Sequence, residues 1–293
     1  MLYSTNTSFV INRPNIGLFK GIEMFLDAGF PALDLSLFKY DYVMEEDYKK
    51  TAGELRKLVE SRGVFFNQAH APFGGGYDKY TTETVPNFPR IFEFCGLLGI
   101  KNIVVHPLQR GRYYGQEEIL FDLNMDFYSK LAPYAKNAGI KIAIENMWHF
   151  HPVNGRIVDD TCADPYELVR YYDALNDPDA FTICLDLGHV AICGREPQNA
   201  IKVIGHERLG AIHAHDVDYV NDLHTVPGLS KLDYDAICHA LADIDYSGEF
   251  TLESEYFAKN YPDEHMPSVL RFMSDTAKLY ADRVEKYKSE GKK

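Results

Sequence analysis

Short apolar, β-branched runs alternate with helix-length amphipathic segments along the whole chain. The runs cover residues 2–5, 32–35, 64–68, 103–105, 141–145, 182–186, 211–213 and 250–253. Their near-continuous hydrophobicity predicts parallel strands buried on both faces. Between them apolar residues recur three and four apart, which predicts helices over 18–28, 48–61, 85–98, 119–137, 166–175, 197–204, 234–242 and 267–287. Gly29, Gly63, Gly99 and Gly139 follow the first four helices, where a left-handed C-cap belongs. Asp164-Pro165 and Glu196-Pro197 set proline in the first turn of the helices they open.

Eight strands alternating with eight helices, with no polar linker or shift in composition, predict an α/β fold. The expected architecture is a single-domain (β/α)8 TIM barrel over residues 1–293. The competitor, a doubly wound open sheet, usually carries a glycine-rich phosphate loop after its first strand, and none is present. Gly74-Gly75-Gly76 follows the third strand without that spacing and reads as a mobile loop.

Four of the runs stop on hard-metal donors: Glu145, Asp186, His213 and Glu253. Each such group costs several kcal/mol to bury without a partner, so four together suggest that the strand ends converge. Three carboxylates and an imidazole around one point repel unless a divalent cation neutralises them. The strand ends of such a barrel also carry its chemistry. Read in order they are Asp34, His70, His106, Glu145, Asp186 with His189, His213 with His215 and Asp216, and Glu253 with Glu255. Asp222 and His224 lie in the loop after the seventh strand. Any one of these could be a solvated strand end or a satisfied core histidine. Packing does not require acids and histidines after strands three to eight together. His149, His151, His206, His239 and His265 read as loop or helix-surface residues.

Composition narrows the partners. A net charge of -13 and a pI near 5.3 disfavour broad attraction to nucleic-acid backbones or anionic membranes. The five cysteines are odd in number and lack a CxxC pair, which suggests reduced thiols and a cytoplasmic protein. Neither a secretory signal nor an apolar stretch of roughly 18 residues is evident. The expected partner is a small carbohydrate-like substrate, and a homo-oligomer stays open.

The segments Glu145-Asn146, Asp186-Leu-Gly188-His189, His213-Ala-His215-Asp216, Asp222-Leu-His224 with Pro227-Gly228, and Glu253 together resemble the xylose isomerase-like TIM-barrel superfamily. The similarity is greatest to its sugar (phosphate) isomerase and epimerase branch. It spans nearly the whole chain, from His70 to Glu253. By position, the resemblance implies metal ligands at Glu145, Asp186, His213 and Glu253, and a substrate-contacting histidine at His189. It implies a role in carbohydrate metabolism.

That chemistry suits the residues themselves. Isomerisation or epimerisation moves a proton beside a carbonyl; a divalent ion polarises the carbonyl and stabilises the enediolate. Glu145 and Glu253 can serve in turn as base and acid. Mn²⁺, Mg²⁺, Co²⁺ and Zn²⁺ all suit three oxygens and one imidazole. His70, His106, His224 and Trp148 are expected to contact substrate; Tyr113 and Tyr114 also follow a strand end. A metal-dependent lyase or dehydratase, or a non-catalytic sugar-binding barrel, remains an alternative.

The same superfamily includes apurinic-site endonucleases with three zinc ions and nine ligands. Residues of the right type stand in all nine places: His70, His106, Glu145, Asp186, His189, His213, Asp222, His224 and Glu253. Five of these (His70, His106, His189, Asp222 and His224) are therefore candidate extra ligands. Against the nuclease, His70-Ala71-Pro72-Phe73 lacks the nuclease family's continuation, and the loop between Asp216 and Asp222 is short. The arginine that ketose epimerases often carry shortly after the seventh-strand histidine is also missing. Arg110, Arg112, Arg195 and Lys231 read as solvated loop charges.

Overall fold

The computed structural model describes residues 1–291. Its strands are β1 (Tyr3–Thr5), β2 (Ala32–Ser36), β3 (Phe65–His70), β4 (Asn102–Val105), β5 (Lys141–Glu145), β6 (Trp148–Phe150), β7 (Ile157–Asp159), β8 (Phe181–Asp186), β9 (Leu209–His213) and β10 (Phe250–Leu252). Six of them form a parallel sheet in the order β2-β3-β4-β5-β8-β9, and β1 pairs in parallel with β10. Bridges between Asn6 and Asp34 and between Ala214 and Leu252 join the two sheets into a closed ring of eight. At the seams Thr7 N–H donates to the Asp34 carbonyl at 3.0 Å and Ala214 N–H to the Thr251 carbonyl at 2.8 Å. The fold is a closed, parallel (β/α)8 TIM barrel.

Strand alternation explains where the donors point. Val104, Ala143, Cys184 and Ala211 form a small buried cluster apart from the main core. Side chains two residues apart share a face. Glu145, Asp186 and His213 therefore stand directly above Ala143, Cys184 and Ala211, at the C-terminal mouth. The floor of small residues leaves the barrel's bulky aliphatic side chains to the layer between strands and helices, where most of the core lies.

Gly29, Gly63, Gly99 and Gly139 all take positive φ at the helix ends. Gly96 serves another purpose. The helix Phe88–Leu98 crosses the helix Glu117–Ala138 so closely that a Cβ on Gly96 would sit 2.4 Å from the Ala138 carbonyl oxygen. All five cysteines are free. Among the described residues no helix is long and apolar enough to cross a membrane.

Three details depart from the sequence-based expectation. The antiparallel pair β6–β7 stands on the mouth just after Glu145, and His149, expected in a loop, lies within it. A helix, Leu187–Ile192, begins directly after Asp186, whose carboxylate accepts the His189 N–H and caps it. Arg195 is no solvated charge: it grips both oxygens of Asp159 at 2.8 Å and reaches Asp164 at 3.4 Å, tying the β6–β7 pair to the barrel.

Candidate metal centre

Glu145, Asp186, His213 and Glu253 meet at the mouth, each offering one ligand atom within 4.8 Å of the others. All four are buried, Glu253 the least so at 7% exposure. His213 Nδ1 faces Glu145 Oε1 at 2.8 Å and Glu253 Oε2 at 3.2 Å, with Asp186 Oδ2 at 4.0 Å. The other ring nitrogen lies 3.2 Å from Gln68 Nε2, which itself donates to Asp34. Gln68 thus sits behind the ring and turns Nδ1 toward the carboxylates.

Asp186 is held from several sides. Its own N–H donates to Asn146 Oδ1 at 2.8 Å, and its carbonyl accepts from Asn146 Nδ2 at 3.0 Å. The Asn146 carbonyl in turn accepts from His189 Nδ1 at 2.9 Å. Asn146 therefore fixes a candidate ligand and a candidate substrate-contacting histidine at once.

The electrostatics separate the two glutamates. Burial resists ionising Glu145, but His213 and His106 beside it outweigh burial and hold its carboxyl well below the usual range. Burial dominates at Glu253 and raises its pKa, despite His213 pulling the other way. Burial opposes a charge on the His213 imidazole, yet its pKa rises well above 6.5, because Cys184 and the carboxylates of Glu253 and Glu145 beside it favour the charged ring.

Two further donor groups flank the first. His70 and His106 approach Glu145 Oε2 to 3.6 and 2.9 Å. That buried oxygen still finds no hydrogen bond of acceptable geometry. Burial opposes a charge on His70, but Glu145 and Glu253 push it up to about 9, while burial lowers His106. On the other flank His189, His215, Asp222 and His224 also bring ligand atoms within 4.8 Å of one another. His224 Nε2 meets Asp222 Oδ2 at 3.0 Å, and Asp222 Oδ1 is buried without a hydrogen-bond partner. Unpaired buried oxygens among converged imidazoles and carboxylates are the donor chemistry a divalent cation satisfies, so these residues fit one.

The loop that brings Asp222 and His224 is built around Asp216. Its buried carboxylate accepts the N–H groups of Val217, Gly228, Ser230 and Leu232 at 2.9 to 3.0 Å. Beside Asp222 a cavity of about 790 Å³ is lined by Trp148, Phe150, Tyr219 and Tyr256, among others. The Trp148 ring stands 6.2 Å from that of His189, edge to face. Tyr113 is instead buried, donating its hydroxyl to Glu167 at 2.9 Å, and Tyr114 is exposed.

The family model for the xylose isomerase-like TIM barrel matches residues 16–276. The chain belongs to this family. An inosose dehydratase of Bacillus cereus is 28% identical over 226 residues, spanning 67% of this chain and 72% of that protein. A D-tagatose 3-epimerase-like protein superposes with a TM-score of 0.77 at 19% identity, covering 98% of this chain and 99% of the other. The crystal structure of the IolI protein with a bound zinc atom gives 0.73 at 21%, covering 98% and 99%.

Every residue that sequence marked as ligand or substrate contact in this xylose isomerase-like barrel lies at the mouth: Glu145, Asp186, His213, Glu253, His70, His106, His189, Asp222, His224 and Trp148. Sequence reasoning placed Gln68 only as the end of a strand, and it named Asn146 and His215 only within motifs or among the strand ends, with no role for any of them. Gln68 stood two residues before His70 on the inward face of its strand, and Asn146 directly after Glu145, so position alone pointed to both. His239 and His265 are not part of the site; His239 stacks on Tyr287 on the outer surface.

Proposed function

We propose that the chain is a single-domain, divalent-metal-dependent isomerase or epimerase of a sugar, sugar phosphate or related polyol or keto acid. The observation that carries this is the pair Glu145 and Glu253, which close on His213 Nδ1 from 2.8 and 3.2 Å at the barrel mouth. Two carboxylates so placed are suited to take and return a proton in turn. Glu145, Asp186, His213 and Glu253 would hold the ion, which would supply Lewis acidity toward the substrate carbonyl. Glu145 and Glu253 serve in turn as base, taking the proton from carbon, and as acid, returning one to carbon. His189 and His224 orient substrate hydroxyls, His70 and His106 border the reacting carbons, and Trp148 walls the ring.

The inosose dehydratase relative supports a lyase as the second reading, since eliminating water from a cyclic ketone begins with the same proton abstraction. The flanking groups would give His189, Asp222 and His224, and His70 with His106, further cations; the zinc in the IolI structure supports that metal at the centre. The test is metal-dependent exchange of substrate C–H with solvent deuterium, read by NMR over free ketoses, sugar phosphates, inososes and hydroxypyruvate. Water loss instead of exchange favours the lyase. No reaction with any of them, together with cleavage of an abasic oligonucleotide, would discard the sugar reading.

A further inference from the structure

His215 is wholly buried two residues beyond His213, outside both the proposed ligand set and the proton-moving pair. Its Nε2 lies 3.0 and 3.1 Å from the two carboxylate oxygens of Asp186. Its Nδ1 is buried with no hydrogen-bond partner, so Nε2 carries the proton and donates it to Asp186. One face of the ring stacks on His224 with centroids 4.0 Å apart and planes 5° apart. The other face meets Gly188, where a Cβ would lie 2.0 Å from Cε1 and 2.4 Å from Nε2. Gly188 lies in a helix outside the left-handed region, so only space explains the missing side chain. Below, Tyr234 Oη donates to the His215 carbonyl at 2.9 Å.

We propose that His215 is a positioning residue of the metal centre and that Gly188 is present to seat its ring. The inference rests on Asp186 acting as a metal ligand. A carboxylate with free rotation could swing either oxygen toward the ion. The His215 N–H, with the His189 N–H at 2.6 Å on Oδ1, fixes it so that Oδ2 faces His213 and the other ligands. Partners that orient a ligating group in this way typically contribute about 10- to 100-fold in metal affinity. Because the ring also stacks on His224, it ties the Asp186 ligand to the loop that bears Asp222 and His224. A change on either side of His215 then reaches the other through a rigid contact.

The test measures Co²⁺ dissociation constants by chelator competition, Co²⁺ absorption spectra, and thermal midpoints of the metal-free proteins. H215F keeps the stack but loses the donor, and should weaken Co²⁺ binding roughly 10- to 100-fold and shift the spectrum. H215Q, whose amide N–H reaches the same carboxylate, should recover most of that loss. H215A replaces H215F if the phenylalanine ring prevents folding. G188A should lower metal affinity and the metal-free midpoint in the parent, yet cost little in an H215A background, where the slot is empty. Parent-like affinity in H215F or H215A overturns the positioning role, as does H215Q binding no better than they do. An equal effect of G188A in both backgrounds overturns the seating. A parent protein that takes up no Co²⁺ instead overturns the metal reading itself.

Discussion

Replacing Glu145 with glutamine should produce a different defect from the same change at Glu253. Glu145 lies against three imidazoles: His213 at 2.8 Å, His106 at 2.9 Å and His70 at 3.6 Å. Loss of a general acid or base costs about 10²–10⁴ in rate, or about 3–5 kcal/mol of barrier. Both variants should show this loss in solvent-deuterium exchange. E145Q should also release the imidazoles that the carboxylate holds charged. In the metal-free protein His70 titrates near 9, raised above 6.5 by Glu145 first and Glu253 second. Removing the larger contribution should bring it down, while E253Q lowers it less. NMR titration of the His70 ring protons reads this without any turnover. A His70 pKa unchanged in E145Q would refute the electrostatic account, and parent-like exchange with metal retained would refute its role in proton transfer.

Other outcomes follow from the same geometry. Asp186→Asn and His213→Ala should each cut bound metal in elemental analysis of the purified protein; content equal to the parent in both would rule out the site. Because His213 is held above 6.5 without metal, it must shed a proton to ligate, so apparent metal affinity should rise with pH through neutrality; a flat profile would contradict this. The same raised pKa values predict that the metal-free fold gains full support from these histidines below about pH 6.5 and loses it as pH climbs, through about 9 for His70, which thermal unfolding between pH 6 and 10 would detect. Gly96→Ala should destabilise: its Cβ would meet backbone rather than a movable side chain, costing about 1–3 kcal/mol, partly offset by up to about 1 kcal/mol of helix propensity. The thermal midpoint should fall by several degrees, and a higher midpoint would show that the two helices can part.

Much of the barrel is written in local patterns, which is why its eight strands and their glycine stops could be read before any contact was known. The donors were legible for the same reason: strand alternation puts Glu145, Asp186 and His213 on one face, and sequence shows alternation directly. What depends on distant pairing was not. The β6–β7 strands are three residues each, too short to set a period, although Asn154-Gly155 between them is a hairpin signal that was there to use. Helix Leu187–Ile192 is hidden because its cap, Asp186, is also a metal-type residue and was weighed only as one. The work of His215 depends on Asp186, 29 positions away, and on the gap above Gly188. A spacing rule along the chain records neither.

The Asp216 carboxylate, satisfied by four backbone amides, gives the loop over residues 217–232 an internal scaffold of its own. His224 is held there at a φ of +38°, a conformation a free loop would rarely sample. These contacts hold the segment independently of any ligand, so a substrate or ion bound by Asp222 and His224 would meet them already aimed. Association at this mouth carries little of the entropy loss that closing a slack loop would impose. On the reading proposed above, recognition there would draw on a loop already shaped by its own hydrogen bonds rather than on one that folds around its guest.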